Sequence, residues 1–280
     1  MLLTDEPTKW IDALLTDVRV VRLYSEPALS PPSDATSGVF QGTLEVHDHR
    51  VGATQMSQIF GCKVEVLPDG LGWQTETLSL NTHEAPHVDA PIHYRPHLAD
   101  GSPAPGIDAY STEQFIGHAV VLDLRSFPNG AILAPQDLQK LLAGMEYALR
   151  QEDIVLLLTG ADKHLGQPDH LNYGVGLSAE AVVWLRDQSI KALGTDAFTI
   201  DEPFPQMIRR YKETGEPSVI WPAHYASDTL IHYEKLANLE QLPPIGALFV
   251  GPPIPLKGAS AGPANPVGIV PKGLSPINAI

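Results

Sequence analysis

The sequence predicts a mixed α/β protein whose sheet is covered by other layers. Residues 120–124 and 154–158 are short, largely apolar runs, the pattern of strands buried on both faces. Residues 179–187 read as a helix and 190–193 as the strand after it, and strand, helix, strand order belongs to α/β architecture.

The elements follow in chain order. Residues 18–23, Val-Arg-Val-Val-Arg-Leu, form a strand. Residues 74–82 are rich in Thr and Leu and form another. Ser178 is the N-cap of the 179–187 helix, which carries Ala181, Val182 and Leu185 along one side. The strand after it ends at Gly194-Thr195-Asp196, and 207–214 is a further helix. The prolines cluster at turns and loops, with no low-complexity linker and no internal repeat. One domain over 1–280 is expected, with residues 1–60 as an N-terminal extension.

Composition excludes several functions. The formal net charge of −15 leaves no basic stripe to meet phosphates, which argues against nucleic acid. The single cysteine, Cys62, allows no intramolecular disulfide, suits a reducing compartment and is expected in the core. Met1-Leu2-Leu3-Thr4-Asp5-Glu6 places acids where a signal peptide needs basic residues, and no stretch reaches the ~20 apolar residues of a membrane helix. A soluble cytoplasmic protein acting on a small molecule is expected.

Chemistry concentrates in His83-Glu84-Ala85-Pro86-His87-Val88-Asp89-Ala90-Pro91-Ile92-His93. The helical His-Glu-x-x-His zinc motif is rejected, because Pro86 falls inside it and breaks a helix. In extended chain, His83, His87, Asp89 and His93 share one face, being all at odd positions. A straight strand would still hold His83 and His87 ~13 Å apart. Ligands of one ion lie within ~4 Å of each other. The chain must therefore curl at Ala85-Pro86. A strand ending near His83, then a loop wrapping an ion with His83, His87 and Asp89, meets this need. His93, beyond Pro91, is placed to act as acid or base.

This segment resembles the signature of the cyclase family of metal-dependent enzymes, which includes kynurenine formamidase, isatin hydrolase and trans-dienelactone hydrolase. Every His, Asp and Pro of the pattern His-x-Gly-Thr-His-x-Asp-x-Pro-x-His is matched, and Ala85-Pro86 stands where the family has Gly-Thr. Segments 72–76, 115–125, 155–163, 176–181, 194–196, 234–239 and 257–262 follow in the family's order. The resemblance implies the swivelling β/β/α fold and assembly as a homodimer or homotetramer, with the N-terminal region exchanged near a neighbour's site. It implies His83, His87 and Asp89 as metal ligands and His93 as catalytic acid/base. For a second metal it implies Glu234 and a histidine, His224 in Trp221-Pro222-Ala223-His224, with His232 competing for that place. The ion expected is Zn2+ or Mn2+, one or two per chain.

The reaction expected is hydrolysis of an amide or lactone in a small, cyclic or aromatic substrate by metal-activated water. A lyase, isomerase or ring-forming reaction at the same site is the alternative, motivated by Ala85-Pro86, which removes a hydroxyl, a backbone N–H and glycine's freedom. A non-catalytic metal-binding protein is disfavoured because all four primary residues remain. Elsewhere, Asp196 reads as functional or as a loop cap, and Asp201 as a turn residue before Glu202-Pro203. His47-Asp48-His49 reads as a solvated hairpin or loop end. Lys257 and Ser260 are substrate-side candidates.

Overall fold

A computed structural model describes residues 12, 16–26, 42–167 and 169–277. About half of the expected N-terminal extension, residues 1–60, lies outside the described residues. The chain divides into two compact units, one holding the chain up to Glu26 and from Ala85 onward, the other Pro27–Glu84.

The larger unit is built on a sheet of nine strands among the described residues. In chain order its strands are β1 (Val18–Arg22), β4 (His87–Asp89), β5 (Ile116–Asp123), β7 (Asp153–Leu158), β9 (Ala192–Thr195), β10 (His232–Glu234), β11 (Ala247–Val250), β12 (Ala261–Pro263) and β13 (Val267–Pro271). They lie side by side as β1-β13-β11-β5-β7-β9-β10-β4-β12. The middle four, β5-β7-β9-β10, are parallel, and the flanking pairs are antiparallel. β6 (Ile132–Leu133) and β8 (Gly176–Leu177) form a separate parallel pair.

The apolar runs are central strands, as expected, and their alternation feeds two cores. Val120, Leu122, Val155, Leu157 and Leu193 face one core with the helices α2 (Pro135–Gly144), α3 (Ala179–Asp187) and α5 (Pro222–Ser227). Val121, Ile154, Leu156 and Leu158 face the other, with Val88, Tyr233 and Phe249. Each strand is thereby buried on both sides, which is why its sequence reads apolar without alternation. Ser178 caps α3, its hydroxyl accepting from Ala181 N at 3.2 Å. α4 (Phe204–Thr214) contains the predicted 207–214 helix. The strand expected at 190–193 begins two residues later. Ser189, at φ 60°, turns the chain after α3, and β9 pairs only from Ala192.

The smaller unit pairs β2 (Thr43–His47) with β3 (Thr75–Ser79) in an antiparallel hairpin register. Its helix α1 (His49–Phe60) was not foreseen, because its apolar side chains are dispersed and Val51, Ile59 and Phe60 are exposed. Asp48 caps it, accepting from Arg50 N and Val51 N, so His47-Asp48-His49 is a strand-to-helix corner. Gly52 has no room for a side chain, since a Cβ there would lie 1.7 Å from Trp73 O. Cys62 is half-buried, not a core thiol, because it follows the exposed end of α1 at Gly61. Among the described residues no helix is long and apolar enough to cross a membrane.

The α3 cap gives a direct check on this reading. Ser178→Ala is expected to cost ~1 kcal/mol, read as a lower urea midpoint with an unchanged slope.

Candidate metal centre

Two three-residue strands build the site. β4 is His87-Val88-Asp89 and β10 is His232-Tyr233-Glu234. They pair antiparallel with His232 opposite Asp89 and Glu234 opposite His87. Alternation along each strand sends the middle residue to one face and the outer two to the other. Val88 and Tyr233 are fully buried in the core, where Tyr233 donates to Gly251 O at 2.8 Å. The four polar side chains are left together on the opposite face.

The donor atoms converge. His87 Nε2 lies 3.2 Å from Asp89 Oδ1 and 3.8 Å from Glu234 Oε2. His232 Nε2 lies 3.2 Å from Asp89 Oδ2 and 3.9 Å from Glu234 Oε1. α5 adds His224, whose Nε2 is 3.4 Å from Glu234 Oε1 and 3.7 Å from Asp89 Oδ2. One donor atom each from Asp89, His224, His232 and Glu234 fit within 4.8 Å of one another. Atoms bound ~2.0–2.2 Å from one ion have separations of this order.

His93 stands at the edge of this cluster. Its Nε2 is 3.9 Å from Asp89 Oδ2, and its side chain is 21% exposed, against 2% or less for His87, Asp89, His224 and His232. It sits in a single turn after β4 that begins at Pro91. Trp221 packs 5.3 Å from its ring and stacks on His224 at 4.6 Å and 12°. Trp221 holds φ 55° as the residue before α5, a conformation uncommon for a bulky side chain. Tyr94 stacks over His232 at 5.8 Å and donates to Leu230 O at 3.2 Å.

Ring orientation is fixed by the nitrogen that faces away from the cluster. His87 Nδ1 donates to Ala85 O at 2.8 Å, and His224 Nδ1 donates to Asp201 Oδ2 at 2.5 Å. Neither ring nitrogen of the buried His232 makes a hydrogen bond of normal geometry. Electrostatics strain the cluster. Burial, then the neighbouring Asp89 carboxylate, push the Glu234 carboxyl above its usual range. Burial works against a charged His224, but Asp201, Asp89 and Glu234 outweigh it and hold its pKa at about 10. Three buried imidazoles and two buried carboxylates suit a divalent metal ion.

The structure thus unites His87, Asp89, His93, His224 and Glu234, and His232 joins them beside His224. His83 belongs to the smaller unit, where its backbone N–H bonds Asn81 Oδ1 at 2.9 Å. Two local expectations change. The strand before the motif ends at Ser79, and His87–Asp89 is itself a strand, not a wrapping loop. Pro86 and Pro91 bracket that strand, and it forms because β10 and β12 pair with it from both sides. Asp201 is not an ordinary turn residue, since its carboxylate is buried against His224. Asp196 is a cap, accepting from Thr159 N, Thr159 Oγ1 and Gly160 N; burial raises its pKa to about 7. Ser260 O accepts from Ala90 N beside the site, while Lys257 is exposed. Trp221 and Tyr94 were missed, though each lies within three residues of a histidine already singled out.

The Cyclase family model, described as "Putative cyclase", matches residues 26–202, well over half of the chain and including the whole 83–93 motif. A kynurenine formamidase of Erythrobacter litoralis (strain HTCC2594) is 29% identical over 126 residues, 44% of this chain and 49% of the relative. The chain therefore matches about half the length of that curated relative. Isatin hydrolase A from Ralstonia solanacearum superposes with a TM-score of 0.71 at 22% identity, over 96% of this chain and 98% of that one. A protein titled a potential metal-dependent hydrolase with cyclase activity superposes at 0.56 and 16% identity, over 90% and 98%. The fold is that of these structures, and the chain belongs to the Cyclase family.

Proposed function

We propose that the protein is a metal-dependent hydrolase that opens an amide or lactone bond of a small substrate. The observation that carries this reading is one partly exposed histidine, His93, at the rim of a buried cluster of metal-ligand side chains. The names of its relatives, a kynurenine formamidase and an isatin hydrolase, agree with carbonyl hydrolysis. His87, Asp89, His224, His232 and Glu234 would hold Zn2+ or Mn2+. A bound divalent ion supplies Lewis-acid polarisation of a carbonyl and lowers the pKa of a water.

The chain's own residues do the rest. His93 Nε2 takes a proton from the attacking water and delivers it to the leaving nitrogen or oxygen. Its partial exposure lets a substrate reach it, and Asp89, 3.9 Å away, favours the imidazolium formed midway. Trp221, packed on both His93 and His224, excludes water from one side of the reacting centre.

Three outcomes are expected. Elemental analysis should find one or two Zn or Mn per chain, lost in His87→Ala; no metal taken up by the wild type would remove the mechanism. His93→Ala should keep its metal and lose turnover by about 10²–10⁴-fold, and product made in H₂¹⁸O should carry the label. Full activity in that variant, or product free of label, would rule out the assignment.

The third outcome concerns protons. The pKa of His224, held at about 10, is raised above its ordinary value. Its contribution to stability is therefore complete below about pH 6.5 and is lost as pH rises through about 10. A ligand imidazole must be neutral, so metal uptake at pH 8 should release protons, and affinity should rise with pH. Calorimetry in buffers of different ionisation enthalpy measures that release.

A further inference from the structure

We propose that Asp201 is a positioning residue that aims His224 at the metal and, with its own short loop, sets both distal donors. This rests on the metal-centre reading above. The Asp201 carboxylate is 1% exposed and lies 2.5 Å from His224 Nδ1. A carboxylate can only accept there, so the proton sits on Nδ1 and Nε2 is the donor turned toward Asp89 and Glu234. The same carboxylate accepts from Ala223 N at 2.7 Å and His224 N at 3.3 Å. It therefore fixes the backbone that carries the ring as well as the ring itself.

The neighbouring residue acts on the other distal donor. Ile200 N donates to Glu234 Oε1 at 3.1 Å. One stretch, Thr199 to Glu202, thus touches both His224 and Glu234. That stretch is anchored independently of the site. Within it Asp201 N donates to Thr199 Oγ1 at 3.2 Å, and from outside Leu177 N donates to Ile200 O at 2.9 Å. Glu202 pairs with Arg210 at 2.5 Å. Gly176 lets the stretch pass close by, since a Cβ there would lie 2.2 Å from Glu202 N and 2.4 Å from Asp201 C. A loop held this tightly to the scaffold can hold ligands to a fraction of an ångström, which is what a metal site requires.

A purely structural role for Asp201, stapling the start of α5, predicts a different result, and the two are separable. Asp201→Asn is nearly isosteric and keeps an oxygen for Ala223 N, but loses the charge facing Nδ1. Zinc affinity, measured by chelator competition, is expected to fall about 10–100-fold, and the visible absorption of the Co2+-loaded protein to shift. In a His224→Ala background the same change should have no further effect on zinc affinity. On the wild type, ¹⁵N spectra of the Zn2+-loaded protein should show His224 bound through Nε2 with a protonated Nδ1, a result that does not depend on any variant folding. Unchanged zinc affinity and Co2+ spectrum in Asp201→Asn, or zinc bound at Nδ1 of His224, would overturn the role. A wild type that takes up neither ion would instead remove the metal reading, and this inference with it.

Discussion

The centre depends on one strand register. His87-Val88-Asp89 and His232-Tyr233-Glu234 pair antiparallel, each a polar-apolar-polar triplet. Val88 and Tyr233 pin the register by being fully buried in the core beneath. A one-residue slip of either strand would turn its apolar side chain into the site and its polar pair into the core. The core and the centre are therefore one structure read from two faces. The cost is electrostatic. Two carboxylates, Asp89 and Glu234, are brought together out of water, and Glu234 is held above its usual pKa range as a result. Paired buried carboxylates without cations are strongly unfavourable. A protonated His224 offsets this partly, the carboxylates around it raising its pKa against the effect of burial, and a bound divalent cation would offset it more fully.

Much of the fold was legible because local and tertiary demands agree. The central strands sit between two apolar layers, so their sequences are apolar throughout, and Ser178 announces the helix that covers them. The 83–93 motif was legible because ligand types crowd into a short span. β4 was not. Its residues lie between two prolines, and only pairing with β10 and β12, far away in sequence, makes them a strand. Asp201 was illegible for the same reason. Nothing local separates a turn aspartate from one whose acceptor atoms face a histidine 23 residues later. The rivalry between His224 and His232 dissolves in three dimensions. One arrives from a helix and the other from a strand, and both reach Asp89.

The Ala85-Pro86 departure takes on a definite meaning. Ala85 contributes a backbone carbonyl that orients His87, and Pro86 contributes one that accepts from Ala264 N at 2.8 Å beside β12. Both are main-chain acceptors, which any residue pair supplies. Exchanging Gly-Thr for Ala-Pro thus leaves the acceptor that orients His87 in place. What it removes is a side-chain hydroxyl and a backbone N–H, groups suited to contact a substrate.

The two oriented histidines are not held in the same way. His87 is held by a neutral carbonyl and His224 by a carboxylate, each through Nδ1. A charged acceptor makes the stronger hydrogen bond and transfers more electron density to the opposite nitrogen. Nε2 of His224 lies on the side of the cluster packed against Trp221 and, beyond it, His93. His87 lies on the strand whose middle residue, Val88, is buried in the core. A cation bound here would be held from the sheet and from the helix together. The helix brings His224 next to His93, the partly exposed histidine at the edge of the cluster.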